Sequence, residues 1–290
     1  MNAFFNDSKF GSIGSQASDI RNNLKLNRIR ISARWDNGLQ GSQGGSFNFG
    51  LLDSIFENVS SDTKILIVAT GLPSWAPSGA SARDLFVGDF LTTLVSRYGG
   101  NSKFEALQVW NEPNDPANSD NAKMGFIEGG VSNAINYVEV LTGAKNVIDS
   151  IAPQVLLLNA SSTSINQNYP NNIDFNRAVR DAGALALVDV WAINFYGQQF
   201  ENLVRKEGVR EFINGLGKPV WITESGAQGV EQQLKYGEET WPYLIDELNG
   251  LERIYVYQYA ENTSAESTYG LRNPSGVTPV SDLYVSLRDR

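Results

Sequence analysis

The chain has 290 residues, of which 41% are hydrophobic and 11% aromatic, enough for a substantial core in one large α/β domain. Its 23 basic and 32 acidic residues give a net charge of −9, which argues against nucleic acid and anionic membranes as partners. The sequence contains no cysteine and no histidine, which excludes disulfides, thiolate and Ser-His-Asp chemistry and leaves acid–base work to Asp, Glu, Lys or Tyr.

Short apolar or β-branched runs recur along the chain, followed by polar loops and helical patterns. In chain order the predicted strands are Lys9–Ile13, Arg28–Ser32, Lys64–Ala69, Glu105–Trp110, Gln154–Asn159, Val188–Asn194, Pro219–Thr223 and Arg253–Gln258. Apolar residues at helical spacing predict helices over Asp84–Tyr98, Asn136–Ser150 and Thr240–Leu248.

Strands that alternate with helices imply a parallel sheet. Eight such units suit a (β/α)8 TIM barrel, whose typical length is about 250 residues. No linker or internal repeat divides the chain, so we predict a single domain over residues 1–290. A doubly wound sheet is the alternative, but the Gly-rich phosphate-binding strings that such a sheet would lead us to expect do not occur in the sequence.

Two glutamates follow predicted strands and would meet at one rim of a barrel, where catalytic groups lie. Glu112 follows the fourth strand in Val-Trp-Asn-Glu-Pro, and Glu224 follows the seventh in Trp-Ile-Thr-Glu-Ser-Gly. Glycosidic cleavage needs two carboxyl groups, one to protonate the leaving oxygen and one to attack or to activate water. We interpret the two glutamates as such a pair; the alternative is that each is a solvated loop residue or a helix-start acid.

Amide and aromatic side chains at the same rim fit a sugar site, because amides bind hydroxyl groups and aromatic faces stack on pyranose rings. Asn111, Tyr196, Trp75 and Gln258 are the predicted substrate contacts of this kind. Structural alternatives remain open for three of them: Asn111 as a turn residue, Tyr196 as core packing and Trp75 as a cap on the barrel mouth.

Four short segments carry a resemblance to a known family. Trp-Asn-Glu-Pro at 110–113 and Thr-Glu-Ser-Gly at 223–226 resemble the motifs of the clan-A glycoside hydrolases, which are retaining (β/α)8 enzymes. Residues 30–35 resemble the clan's strand-2 arginine segment, and residues 194–196 its strand-6 segment with a tyrosine. Within the clan, the chain resembles the family 39-like and family 5-like endo-acting enzymes. It departs from many members by having no histidine, so the resemblance does not name the sugar.

The resemblance implies a mechanism for these residues. Glu112 would protonate the leaving oxygen, Glu224 would attack the anomeric carbon, and Glu112 would then deprotonate the incoming water. Asn111 would bind the 2-hydroxyl group, while Arg30 and Tyr196, both predicted residues of the substrate-binding site, would keep Glu224 ionised and aimed. Arg30 could instead be a structural ion-pair partner inside the barrel.

The predicted function is therefore a retaining, endo-acting hydrolase of a β-linked poly- or oligosaccharide. A non-catalytic carbohydrate-binding barrel and a transglycosylase are the alternatives. We predict a monomer that needs no cofactor. We also predict no metal, since Asp115 and Asp120 lack the spacing of a calcium loop. No stretch approaches the roughly 20 apolar residues of a membrane span. A secreted or periplasmic location is favoured if a signal peptide has been removed, and a cytoplasmic one is also compatible.

Overall fold

The strands form two parallel sheets and one small hairpin in a computed structural model that describes residues 1–273 and 279–290. One sheet has the order β1-β2-β3-β6, the other has the order β7-β8-β9, and β4 and β5 form the antiparallel hairpin. The strand bounds are β1 Arg28–Arg34, β2 Lys64–Thr70, β3 Phe104–Val109, β4 Ile127–Glu128, β5 Val131–Ser132, β6 Leu156–Leu158, β7 Trp191–Tyr196, β8 Val220–Gly226 and β9 Leu251–Val256.

Helices connect the parallel strands. The α-helices are α1 Ile13–Ser18, α2 Gly50–Asn58, α3 Ala80–Leu85, α4 Thr92–Tyr98, α5 Ser119–Lys123, α6 Ala134–Ile151, α7 Asn171–Val179, α8 Leu185–Leu187, α9 Phe200–Val204, α10 Val209–Asn214, α11 Val230–Glu247 and α12 Asp282–Asp289. A 3₁₀ turn spans Ser8–Phe10, and wider π turns at Asp19–Asn23, Phe86–Leu91 and Arg180–Ala184 continue α1, α3 and α7. Within the described residues, no helix has the length and apolar character needed to cross a bilayer.

Seven of the eight predicted strands are confirmed, with ends within three residues of the prediction. The first, Lys9–Ile13, is wrong. The Asp7 carboxylate accepts a hydrogen bond from the Lys9 backbone at 2.9 Å, and the Ser12 hydroxyl caps α1 by accepting one from the Ser15 backbone. These local acceptors stabilise a turn and a helix start where the sequence pattern indicated a strand.

Residues 1–3 occupy the place expected for the first strand, between β1 and β9. The Arg30 backbone N–H donates to the Met1 carbonyl at 2.8 Å, and Ala3 donates to the Arg30 carbonyl at 3.0 Å. On the other side, Asn2 donates to the Val256 carbonyl at 2.9 Å. The N-terminal segment therefore links one sheet to the other.

The two sheets are also linked at their opposite edges, where Leu158 and Val190 form a parallel bridge. A small buried cluster contains side chains from both sheets, including Leu66 of β2, Ala106 of β3 and Trp221 of β8. A larger buried cluster packs the strands against the surrounding helices. The architecture is thus a TIM barrel-like α/β fold, with seven regular parallel strands among the described residues.

Candidate active site

An unusual backbone turn at the end of β3 presents Glu112. Trp110 and Glu112 have φ values of 74° and 47°, a left-handed conformation that costs a non-glycine residue about 1–3 kcal/mol. Hydrogen bonds hold the turn: the Glu112 N–H donates to the Ser161 carbonyl at 3.0 Å, and the Asn121 amide donates to the Glu112 carbonyl at 2.8 Å. The surrounding loops therefore determine the direction of this carboxyl group.

Glu224 lies inside β8, because this strand runs three residues beyond its predicted end. Every residue of β8 is buried, and Glu224 is paired with Asn194 of β7 in the sheet register. A Cβ atom at Gly226 would lie 2.4 Å from the Tyr257 carbonyl oxygen. Glycine at this position thus lets β8 pass close to the segment that follows β9.

A buried ion pair holds Glu224. The Arg30 Nη1 atom lies 2.8 Å from Glu224 Oε1, and the Tyr196 hydroxyl donates to Glu224 Oε2 at 2.9 Å. Arg30 is 2% exposed and also donates to the Asn111 side-chain oxygen at 3.0 Å. The two oxygens of the Glu224 carboxylate therefore each have a donor, which fixes the direction of the carboxylate.

Glu112 has a different environment. Its Oε1 atom accepts one hydrogen bond, from the Asn194 amide at 3.0 Å. Burial and, after it, the charge of Glu224 raise the pKa of Glu112 to about 7, against the opposing effect of the Asn194 hydrogen bond. Glu112 is therefore protonated in mildly acidic solution, whereas Glu224 has an arginine to balance its charge.

A chain of buried side chains connects the two glutamates. Arg30 Nε donates to Gln108 Oε1 at 2.9 Å, and Gln108 Nε2 donates to the Thr223 hydroxyl at 3.3 Å. The Thr223 hydroxyl donates to Asn194 Oδ1 at 3.1 Å, which turns the Asn194 amide nitrogen towards Glu112. Gln108, Thr223 and Asn194 had no role in the sequence prediction. A buried glutamine in the apolar strand β3 is the signal that could have indicated this network.

Three tyrosines pack edge to face beside Glu224. The ring centroid of Tyr196 lies 6.0 Å from that of Tyr257 and 5.6 Å from that of Tyr269, and the latter two are 5.6 Å apart. Burial raises the pKa of Tyr196 far above its usual range, so its hydroxyl group remains a hydrogen-bond donor. Tyr257 and Tyr269 were missed by the sequence prediction and form an aromatic wall at the rim.

Of the predicted substrate contacts, Arg30, Asn111 and Tyr196 thus lie in the hydrogen-bonded network around Glu224. Trp75 lies in the loop layer: its indole N–H donates to the Gln40 carbonyl at 2.9 Å, and its ring packs edge to face on Trp35 at 5.6 Å. Gln258 is buried, and its backbone pairs with Tyr269 and Leu271. Sugar contacts of Trp75 and Gln258 stay predictions.

The acidic residues do not gather into a metal site in the described part of the chain, where no group of three or more Asp and Glu side chains could hold an ion. Asp120, considered for a calcium loop, instead accepts a hydrogen bond from Arg34 at 2.8 Å.

The hydrogen bond from Tyr196 to Glu224 leads to a testable prediction. Tyr196→Phe should lower kcat on an aryl β-glycoside by about 10- to 100-fold, because a hydrogen bond to a charged group contributes about 1.5–3 kcal/mol. Tyr269→Phe is the matched control, since the Tyr269 ring packs on Tyr196 and should leave kcat within about threefold. Steady-state kinetics of both variants would check this, and equal losses would contradict a specific role of the Tyr196 hydroxyl.

Fold and site together define a class of protein: a TIM barrel-like α/β protein with two neighbouring carboxyl groups at one rim, of which Glu224 is paired with an arginine. A sequence model of the glycosyl hydrolase catalytic core matches residues 83–284. The match covers more than half of the chain, and the protein belongs to this family of glycoside hydrolases. No curated protein sequence matches the chain significantly.

Solved structures share the fold at low sequence identity. A family 39 glycoside hydrolase from Bacteroides cellulosilyticus WH2 superposes with a TM-score of 0.70 at 15% identity, over 99% of this chain and 62% of that one. A monomeric beta-xylosidase from Caulobacter crescentus CB15 superposes with a TM-score of 0.67 at 16% identity, over 99% of this chain and 66% of that one. The catalytic domain of the major endoglucanase from Xanthomonas campestris pv. campestris superposes with a TM-score of 0.64 at 13% identity, over 95% of this chain and 87% of that one. The resemblance to clan-A glycoside hydrolases, including family 39, is confirmed; the chain spans about two thirds or less of the first two of these proteins.

Proposed function

We propose that the protein hydrolyses a β-linked poly- or oligosaccharide with retention of configuration, through a covalent intermediate on Glu224. The observation that supports this proposal is the contrast between the two carboxyl groups. Glu112 has a pKa raised to about 7, while Glu224 is bonded to Arg30 and Tyr196. One group is thus suited to donate a proton and the other to act as a nucleophile.

In the proposed first step, the Glu112 proton moves to the glycosidic oxygen as Glu224 Oε attacks the anomeric carbon. The bond to the leaving sugar breaks, and a glycosyl ester forms on Glu224. In the second step, Glu112, now ionised, takes a proton from water, whose oxygen attacks the same carbon and releases Glu224. Asn111, held by Arg30, is placed to bind the 2-hydroxyl group of the reacting sugar. Retention requires carboxyl groups about 5–5.5 Å apart, which is the separation we propose for this pair.

We also propose that the two sheets act as one closed (β/α)8 domain over residues 1–290, supported by the links at both edges and by the shared interior cluster. Endo action is supported by a cavity of about 430 Å³ at the rim between Phe4, Ser32 and Arg34, and by a second cavity beyond Asn114. Substrate-sized spaces at two places around the rim suit an extended sugar chain. A monomeric state is proposed by analogy with the monomeric beta-xylosidase.

Covalent trapping would test the proposed reaction. Incubation with activated 2-deoxy-2-fluoro β-glycosides of several sugars should add one glycosyl mass, and peptide mapping should place the label on Glu224. Glu224→Gln is the control and should remain unlabelled. NMR of the first-formed product should show the β-anomer, and an α-anomer or a label on another residue would contradict the mechanism. Binding of oligosaccharides with no turnover would instead indicate a non-catalytic barrel, and transfer to added sugar acceptors in place of water would indicate a transglycosylase.

A further inference from the structure

A cavity of about 470 Å³ lies between the loop that follows β3 and the loop that follows β6. Its walls include four asparagines, Asn114, Asn168, Asn171 and Asn172, and the apolar residues Pro116, Val131 and Phe175. Cavities that bind small ligands in proteins typically measure about 300–1,000 Å³. The space is therefore large enough for at least one sugar ring.

Asn114 joins this cavity to the catalytic rim, because it lies two residues after Glu112. Its side-chain oxygen accepts a hydrogen bond from the Thr163 backbone at 2.9 Å. Its amide donates to the Thr163 hydroxyl at 3.0 Å and to the Asn172 side chain at 3.1 Å. Asn172 is buried and in turn donates to the Ser164 carbonyl. The two loops that form the cavity are thus tied together next to the acid–base residue.

This inference rests on the proposed function, which determines which part of the substrate lies near the cavity. Glu224 attacks the anomeric carbon, and Glu112 gives its proton to the oxygen that leaves. The leaving part of the substrate therefore lies on the Glu112 side of the broken bond, where the loops after β3 and β6 project. We propose that this cavity binds the leaving-side sugar units of an uncharged β-linked polysaccharide.

The chemistry of the walls supports this type of ligand. The exposed amides of Asn168 and Asn171 can both donate to and accept from sugar hydroxyl groups. Val131 is 70% exposed, and with Pro116 it offers an apolar surface to the C–H face of a sugar ring. The carboxylate of Asp174, also in the wall, is balanced by Arg177 at 2.7 Å. This composition suits hydroxyl groups and a neutral sugar better than a uronic acid.

The test compares a double variant, Val131→Ala with Asn171→Ala, on two substrates. With β-linked oligosaccharides of three to six units, kcat/KM should fall on the order of tenfold, since lost hydrogen bonds and apolar contacts of this size change binding by about that factor. Cleavage of substrates labelled at the reducing end should shift towards that end, because units on the leaving side are held less well. With an activated aryl β-glycoside, kcat/KM should stay within about twofold.

Ile135→Ala with Asn22→Ala is the matched control, since Ile135 is 74% exposed and both positions lie outside the cavity wall. It should leave both substrates and the cleavage pattern unchanged. If the Val131/Asn171 variant had unchanged oligosaccharide kinetics and cleavage positions, the proposal for this cavity would be wrong. Turnover of the aryl glycoside in the same experiment would still support the proposed function. Absence of turnover of both substrates by the wild-type protein would instead overturn the proposed function itself.

Discussion

Glu224→Ala should reduce turnover of the natural substrate by on the order of 10⁴-fold or more, because removal of a nucleophile removes the covalent route. Azide should restore turnover of an aryl glycoside with a good leaving group, since the small anion can fill the space of the missing carboxylate. Azide would then attack the face that Glu224 occupied and give the inverted glycosyl azide. Product NMR and steady-state kinetics with increasing azide would measure both effects.

Glu112→Ala should behave differently with the same reagents. A good leaving group needs no proton, so the first step should continue, and the glycosyl-enzyme should accumulate because no base activates water. A burst of released phenol should appear, and azide should speed the slow second step and give the retained glycosyl azide. General acid–base catalysis contributes about 10²–10⁴-fold, which sets the expected loss with natural substrate.

The control for both variants is Glu128→Ala, which removes an exposed carboxylate of the rim hairpin that is bonded to Asn133 and Asn136. It should keep normal turnover and show no response to azide. If Glu112→Ala and Glu224→Ala gave the same azide product, the assignment of acid and nucleophile would be wrong.

The second prediction concerns pH and depends on the raised pKa of Glu112. Glu112 must be protonated to assist departure of the leaving oxygen, so kcat/KM should fall as the pH rises through about 7. No histidine is present in the chain, so this limb cannot come from an imidazole. With an aryl glycoside whose leaving group benefits from acid assistance but can depart slowly without it, Glu112→Gln should turn over more slowly and lose the basic limb. Persistence of the limb in this variant would show that another group at the rim controls it.

Protonation of Glu112 should also affect the stability of the folded protein. A carboxyl group whose pKa rises from 4.5 to about 7 on folding binds more protons in the folded state between these values. The free energy of unfolding should therefore decrease as the pH rises through this window. Glu112→Gln cannot ionise, so its Tm should exceed that of the wild type by a few degrees at pH 8 and match it near pH 4. Calorimetry at both values would check this, and equal Tm values at pH 8 would contradict a buried, destabilised Glu112 carboxylate.

The sequence by itself determined the features that depend on local pattern. Strand β2 was predicted to within one residue because Lys64–Thr70 is a continuous β-branched and apolar run, as expected for a strand buried on both faces. Glu112 and Glu224 were predicted to be the catalytic carboxyl pair because each directly follows an apolar run within a short recognisable string. The family was inferred from the same strings, and the match over residues 83–284 confirms it.

Only the tertiary structure decided the features that depend on residues far apart in the chain. Residues 1–3 replace the predicted first strand because their backbone partners are Arg30 and Val256, which periodicity within the segment cannot reveal. The ion pair between Arg30 and Glu224 joins positions 194 residues apart. The proton affinity of Glu112 is likewise set by burial and by the charge of Glu224, which are properties of the assembled rim. A string of residues can name the two carboxyl groups, but the difference between them arises from the neighbours that folding places around each one.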